Sequence, residues 1–228
     1  MKKRLSIILI ISVLTAFSIY MPVSFGALNS LLVRNLEKRL HADISYDALR
    51  VYLWRSLTVD GLKGIGKGGF GFDADKVTVD YDLTSLVTGR LHLRCSFENA
   101  RFYRSGNIVG SLVDMLQIEP LGNLTFKSIE GDLFVGRQDT LTQNFAMVSD
   151  NIKVFGNAST DIDDDIRVMA YILLNESLVD TIPKEIRGTL LQKEEGPWSS
   201  IYVRIMGNYK KPNLRIMTDR FRMNIASK

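Results

Sequence analysis

Lys76-Val-Thr-Val-Asp-Tyr-Asp-Leu-Thr-Ser-Leu-Val-Thr-Gly-Arg-Leu-His-Leu-Arg-Cys-Ser-Phe97 is the stretch that decides the fold class. Its first part sets Val77, Val79 and Tyr81 on alternate positions against Lys76, Thr78 and Asp80. Its last part sets Leu91, Leu93, Cys95 and Phe97 against His92, Arg94 and Ser96. Side chains alternate faces along a strand, so this period of two predicts two half-buried strands, each with one apolar and one polar face. Between them Asp82 has the chemistry of an N-cap and Gly89 that of a C-cap, which predicts a short helical turn over Asp82 to Val87.

Working outward, the same rhythm returns in Ile166, Val168, Ala170, Ile172 and Leu174, then in Ile201, Val203 and Ile205, and finally in Leu214 and Ile216. Further strands are expected at Val51 to Val59, Leu124 to Ser128, Gly131 to Val135, Leu141 to Val148 and Ile152 to Phe155. Asp60-Gly61, Glu130-Gly131 and Gly156-Asn157 are read as the turns between strands. Asn107 to Leu116, with Ile108, Leu112, Val113 and Leu116 on one side, reads as a second short helix. No alternation of strand and helix appears, which argues against a doubly wound nucleotide fold. The expectation is a mainly β protein: an antiparallel, curved, groove-like sheet with a few short helices and too little helix to cover its apolar face, with a sheet folded on itself as a sandwich the equal alternative from patterning alone.

The N-terminus has a different composition. Leu5 to Phe25 carries no charge, and such a segment makes a helix roughly 31 Å long, matching a bilayer core. Lys2, Lys3 and Arg4 precede it, so the positive-inside rule leaves the N-terminus in the cytoplasm and exports the rest of the chain. A cleaved signal peptide ending near Ser24-Phe25-Gly26 is the competing reading and exports the chain equally. Residues 1–26 are thus expected to be a transmembrane signal-anchor, and 27–40 an amphipathic helix with Leu28, Leu31, Leu32, Leu36 and Leu40 on one stripe. Residues 41–228 are expected to form a single β-domain. The whole chain holds 29 basic and 25 acidic residues. The three basic residues ahead of the span make up most of that excess, and the nearly neutral remainder offers no basis for binding nucleic acid.

Chemistry-bearing motifs are sparse. The run Gly61-Leu-Lys-Gly-Ile-Gly-Lys-Gly-Gly-Phe-Gly71 approaches two phosphate-binding patterns, but Gly68 stands where a P-loop needs Ser or Thr, and the next element reads as a strand rather than a helix. A loop between strands is the better reading. Asp161, Asp163, Asp164 and Asp165 lack the glycine and distal Glu of a calcium loop and read as a solvated turn. His41 and His92 have no partner at triad or metal spacing, and Cys95 is the one cysteine, so no disulfide, metal, cofactor or catalytic group is expected.

The residues resemble the AsmA-like family of bacterial envelope proteins with a repeating β-groove. The resemblance is carried by the anchor and helix, Asp43-Ile-Ser-Tyr46, Leu57-Thr-Val-Asp-Gly-Leu62, the strand, short helix and Gly of Val77 to Leu91, Phe97-Glu-Asn-Ala-Arg-Phe102, Leu178-Val-Asp-Thr-Ile-Pro183, Ile201-Tyr-Val-Arg-Ile-Met-Gly207 and Pro212. Together these cover about half the chain. The resemblance implies an inner-membrane protein whose periplasmic β-groove binds lipid or supports lipid transport and outer-membrane maintenance. Larger members have longer sheets than this chain can build.

The partners implied are the inner membrane through residues 5–25, lipid or acyl chains, and other envelope proteins through sheet edges. Candidate lipid-facing positions are Val77, Val79, Leu91, Leu93, Ile166 and Val168. The rival readings are a membrane-tethered scaffold in a secretion or envelope assembly complex and, with least support, an exported hydrolase.

Overall fold

The computed structural model describes residue 37 and residues 42–52, 55–66, 71–103, 123–136, 139–161, 165–208, 213–217 and 222–226. The predicted membrane span, most of the helix over 27–40, His41 and the helix over Asn107 to Leu116 lie outside these residues. Among the described residues no helix is long and apolar enough to cross a membrane.

Thirteen strands form one antiparallel sheet: β1 (Ala42–Ser45), β2 (Ala48–Tyr52), β3 (Ser56–Gly66), β4 (Gly71–Asp82), β5 (Leu91–Tyr103), β6 (Asn123–Val135), β7 (Asp139–Val148), β8 (Ile152–Asp161), β9 (Asp165–Asn175), β10 (Gln192–Lys193), β11 (Trp198–Asn208), β12 (Asn213–Met217) and β13 (Arg222–Ala226). The spatial order follows chain order from β3 to β9 and then runs through β11, β12 and β13. β1 and β2 share the outer edge of β3, and β10 pairs with β11. The sheet is open and curved, and every neighbouring pair on this path is antiparallel.

Leu83–Thr88 forms the predicted turn as a 3-10 helix. The Asp82 carboxylate accepts from the Thr84 N–H at 2.9 Å, and Gly89 closes the helix in the left-handed region at φ 82°.

Several turn assignments are corrected. Val51 to Val59 is a hairpin of β2 and β3, tightened by the Arg55 N–H donating to the Tyr52 carbonyl at 3.0 Å. Leu124 to Val135 is one strand: Glu130-Gly131 is a register shift within β6, opposite an extra residue in β7. Gly156-Asn157 lies inside β8. The glycine run is strand as far as Gly66 and again from Gly71, leaving only 67–70 outside the described residues. Gly61 sits within β3 at φ 63°.

A crease explains why these glycines resemble turns. The register places Gly61 of β3, Asp75 of β4, Asn99 of β5 and Lys127 of β6 at one level. Gly61 and Asn99 have left-handed φ values of 63° and 51°. Across this level the apolar positions jump by three residues: Val59 to Leu62, Val77 to Ala74, Phe97 to Ala100 and Ile129 to Phe126. A strict period of two would send half of them to the other face. The left-handed Gly61 and Asn99 mark this change of phase on β3 and β5, the pairing register runs through it without a shift, and apolar residues continue on the far side.

The apolar face is also partly covered. Two short helices, α1 (Glu176–Val179) and α2 (Lys184–Leu190), connect β9 to the β10–β11 pair. Leu178, Val179, Ile182 and Leu190 from this hairpin share a buried cluster with Phe126, Ile152, Leu174, Ile201 and Val203. The expectation of an uncovered face is therefore corrected at this end of the sheet.

Candidate functional site on the apolar sheet face

The strand register builds the candidate site. Leu49, Val59, Val77, Phe97, Ile129, Met147, Val154, Ile172 and Ile201 are successive cross-strand partners from β2 to β11. They form an unbroken apolar row across nine strands, roughly 38 Å long at about 4.8 Å per strand. A second row on the same face runs through Tyr81, Leu93, Leu133, Thr142, Ala158, Val168 and Ile205. Between the rows Gly131 and Gly156 make room for Phe145: a Cβ on Gly131 would stand 3.2 Å from the Phe145 Cβ, and one on Gly156 would stand 2.9 Å from its ring.

All six predicted positions fall on this one face. Val77, at 5% exposure, belongs to a buried cluster with Ala74 and Ala100, so it is core. Val79, Leu91, Leu93, Ile166 and Val168 are half-buried. The face thus divides into a covered section under α1 and α2 and a half-open lane along the second row. Sequence reasoning missed the helices; the signal it could have used is Asn175, whose side chain caps α1, whereas Pro183 precedes α2 without a side-chain cap.

The opposite face is polar in the first half of the sheet. Asp80, Arg94, Ser96, Glu130, Asp132 and Asn144 line a cavity of about 140 Å³ there. His92 Nε2 lies 2.9 Å from Asp132 Oδ1, and Arg94 Nε approaches the same oxygen at 3.3 Å. Hydrogen bonding to His92 is the main influence holding the Asp132 carboxyl below the usual carboxylate range, with Arg94 adding to it. This pairing was not legible in sequence, because 40 residues separate the partners. The imidazole stacks on Phe134 with centroids 4.5 Å apart. The nearby Ser85 Oγ is engaged by the His92 backbone N–H at 2.8 Å. Burial, followed by the charges of Asp132 and Asp80, pushes the Cys95 thiol up, which disfavours the thiolate a nucleophile needs. The geometry supplies an imidazole–carboxylate pair, but among the described residues it brings no activated hydroxyl or thiol to that pair.

Toward the other end, Ser200 and Tyr171 donate to Glu194 Oε1 at 2.6 and 2.5 Å, and these bonds, the Ser200 bond foremost, draw its carboxyl down. Lys153 lies 4.4 Å from the Trp198 ring centroid, a cation–π contact. Among the described residues no group of His, Cys, Asp and Glu side chains has the arrangement of a metal site.

No family model matches the chain, and no solved structure does. Protein CapI from Staphylococcus aureus is 36% identical over 96 residues, covering 37% of this chain and 29% of that protein. The chain therefore spans less than a third of the length of the curated relative it matches.

Proposed function

We propose that this is a membrane-anchored periplasmic protein whose apolar sheet face binds lipid or supports lipid movement in the envelope, in keeping with its resemblance to the AsmA-like family. The observation that carries the reading is the half-open second row, from Tyr81 through Leu93, Leu133 and Val168 to Ile205, which runs beside the apolar row from Leu49 to Ile201 on one face of an open sheet. Each methylene held in water costs about 0.8 kcal/mol relative to an apolar surface, so a half-open apolar lane lowers the barrier to an acyl chain crossing water. The segment Leu5 to Phe25 supplies the anchor in this reading. No catalytic step is part of the proposal.

The test is site-specific photo-crosslinking in the full-length chain. A photoreactive residue at Leu93 or Val168, on the half-open lane, is expected to capture lipid in cells, whereas one at Met169, on the opposite face, is not. Absence of lipid adducts at both lane positions would overturn the reading. The scaffold alternative rests on β13, which pairs only with β12 among the described residues and leaves an edge for strand addition. Adducts to one recurring protein, without lipid, would favour it.

A further inference from the structure

The α1–α2 hairpin sits where a bound chain would lie. Its buried side chains, Leu178, Val179, Ile182 and Leu190, cover the section of the apolar face formed by Phe126, Ile152, Leu174, Ile201 and Val203. Beside it, Leu133, Ala158, Val168 and Ile205 stay half-buried. The same face is therefore filled by the protein's own side chains in one section and left partly open in the next.

How the hairpin is held sets it apart from the rest of the sheet. From Leu178 to Leu190 its polar ties to other described residues close within the hairpin or return to its first residue. Arg187 pairs with Asp180 at 2.8 Å, Thr189 Oγ1 donates to the Glu185 carbonyl, Thr181 Oγ1 to the Leu178 carbonyl, and the Asp180 N–H to the Glu176 carbonyl. Its bonds beyond itself are at the root: the Glu176 N–H donates to the Pro197 carbonyl at 2.7 Å, Ser177 Oγ bonds Asn151 Oδ1 at 3.4 Å, and Lys193 of β10 stands 3.8 Å from the Glu176 carboxylate. Past that root, among the described residues, only apolar contact holds it down. Helices of four and seven residues are far below the length that is stable alone, so the hairpin is ordered by the face it covers. On its far side the hairpin runs straight into β10, which pairs with β11 at Gln192↔Ser200 and Lys193↔Ser199, so the sheet fixes both ends and only the span between them is held by apolar contact.

We infer that the α1–α2 hairpin is a displaceable cover, an internal stand-in for an acyl chain that lifts when lipid enters the adjoining lane. Apolar contact is non-directional, so an acyl chain can replace those four side chains without breaking a hydrogen bond to the sheet. The inference rests on the lipid-binding reading.

Hydrogen exchange on the full-length chain tests it, comparing lipid-free amphipol with nanodiscs of phosphatidylethanolamine and phosphatidylglycerol. A photoreactive residue at Val168 in a parallel sample reports whether lipid is bound. With lipid bound, amides from Leu178 to Leu190 are expected to exchange at least tenfold faster, while those of Ile166 to Leu173 and Ile201 to Ile205 stay unchanged. Lipid adducts with unaltered hairpin exchange would overturn the cover and leave lipid binding standing. No adduct would overturn the reading beneath it as well.

Discussion

Glycine has three different jobs here, and substitution separates them. At Gly61 the backbone is left-handed, and an added Cβ would fall 2.0 Å from Asp47 Oδ2. Gly61→Ala is expected to cost about 1–2 kcal/mol or more, read as a lower urea midpoint of the purified chain. At Gly156 the obstacle is the Met169 carbonyl, 2.1 Å from the new Cβ, so β8 must move against β9 and a loss of about 1–3 kcal/mol is expected. Gly188, inside α2, faces open space, and Gly188→Ala is expected to slow hydrogen exchange in α2 through a gain of about 0.5–1 kcal/mol. At Asp132 the folded carboxyl titrates below its unfolded value because of His92 and Arg94. Its contribution is therefore fully present above the unfolded value near pH 4 and is lost as pH falls through the lower folded value. Asp132→Asn is expected to flatten the acid limb of unfolding midpoint against pH; an unchanged limb would mean that the His92 and Arg94 bonds do not stabilise the fold.

Elements show where sequence and structure part company. The alternations through Val77, Leu91 to Phe97 and Ile166 to Leu174 were legible because both faces of each strand have distinct chemistry. The crease was not. An Asp-Gly pair such as Asp60-Gly61 carries the same local signal in a hairpin turn and at a left-handed position within a continuous strand, and only the partner strand distinguishes them. The interval of three between Ala74 and Val77 likewise breaks a period of two without announcing that the apolar face continues. The helical cover was hidden for another reason: α1 and α2 are too short to develop a 3.6-residue period. Their order depends on caps and contact, so Asn175→Ala, which removes the acceptor of the Ser177 N–H at 3.1 Å, is expected to cost about 1 kcal/mol locally. The loss should appear as faster amide exchange in α1 with β4 and β5 unaffected.

For the whole molecule, the sharpest expectation separates core from lane on one face. Val77 is buried with Ala74 and Ala100, and Val77→Asp is expected to unfold the sheet, because an unpaired carboxylate there has no compensating partner. Val168 is half-buried in the lane. Val168→Asp is expected to retain the fold, judged by circular dichroism and protease resistance, while reducing lipid adducts at Leu93 severalfold. Equal capture in wild type and variant would remove Val168 from the lane. Both positions were identified in sequence as apolar residues of one face; their difference in burial depends on what packs over each strand, which alternation does not encode.

The simple strand order has an evolutionary corollary. From β3 to β9 each strand pairs with its neighbours in sequence, so duplicating a two-strand unit would lengthen the apolar face by roughly 10 Å while leaving every other register intact. Gain or loss of a single residue within a strand would instead invert its side chains unless a bulge absorbed it. Descendants of such a gene are expected to vary in size by whole hairpins, with solitary insertions tolerated mainly at left-handed positions such as Asn99 and Asn144.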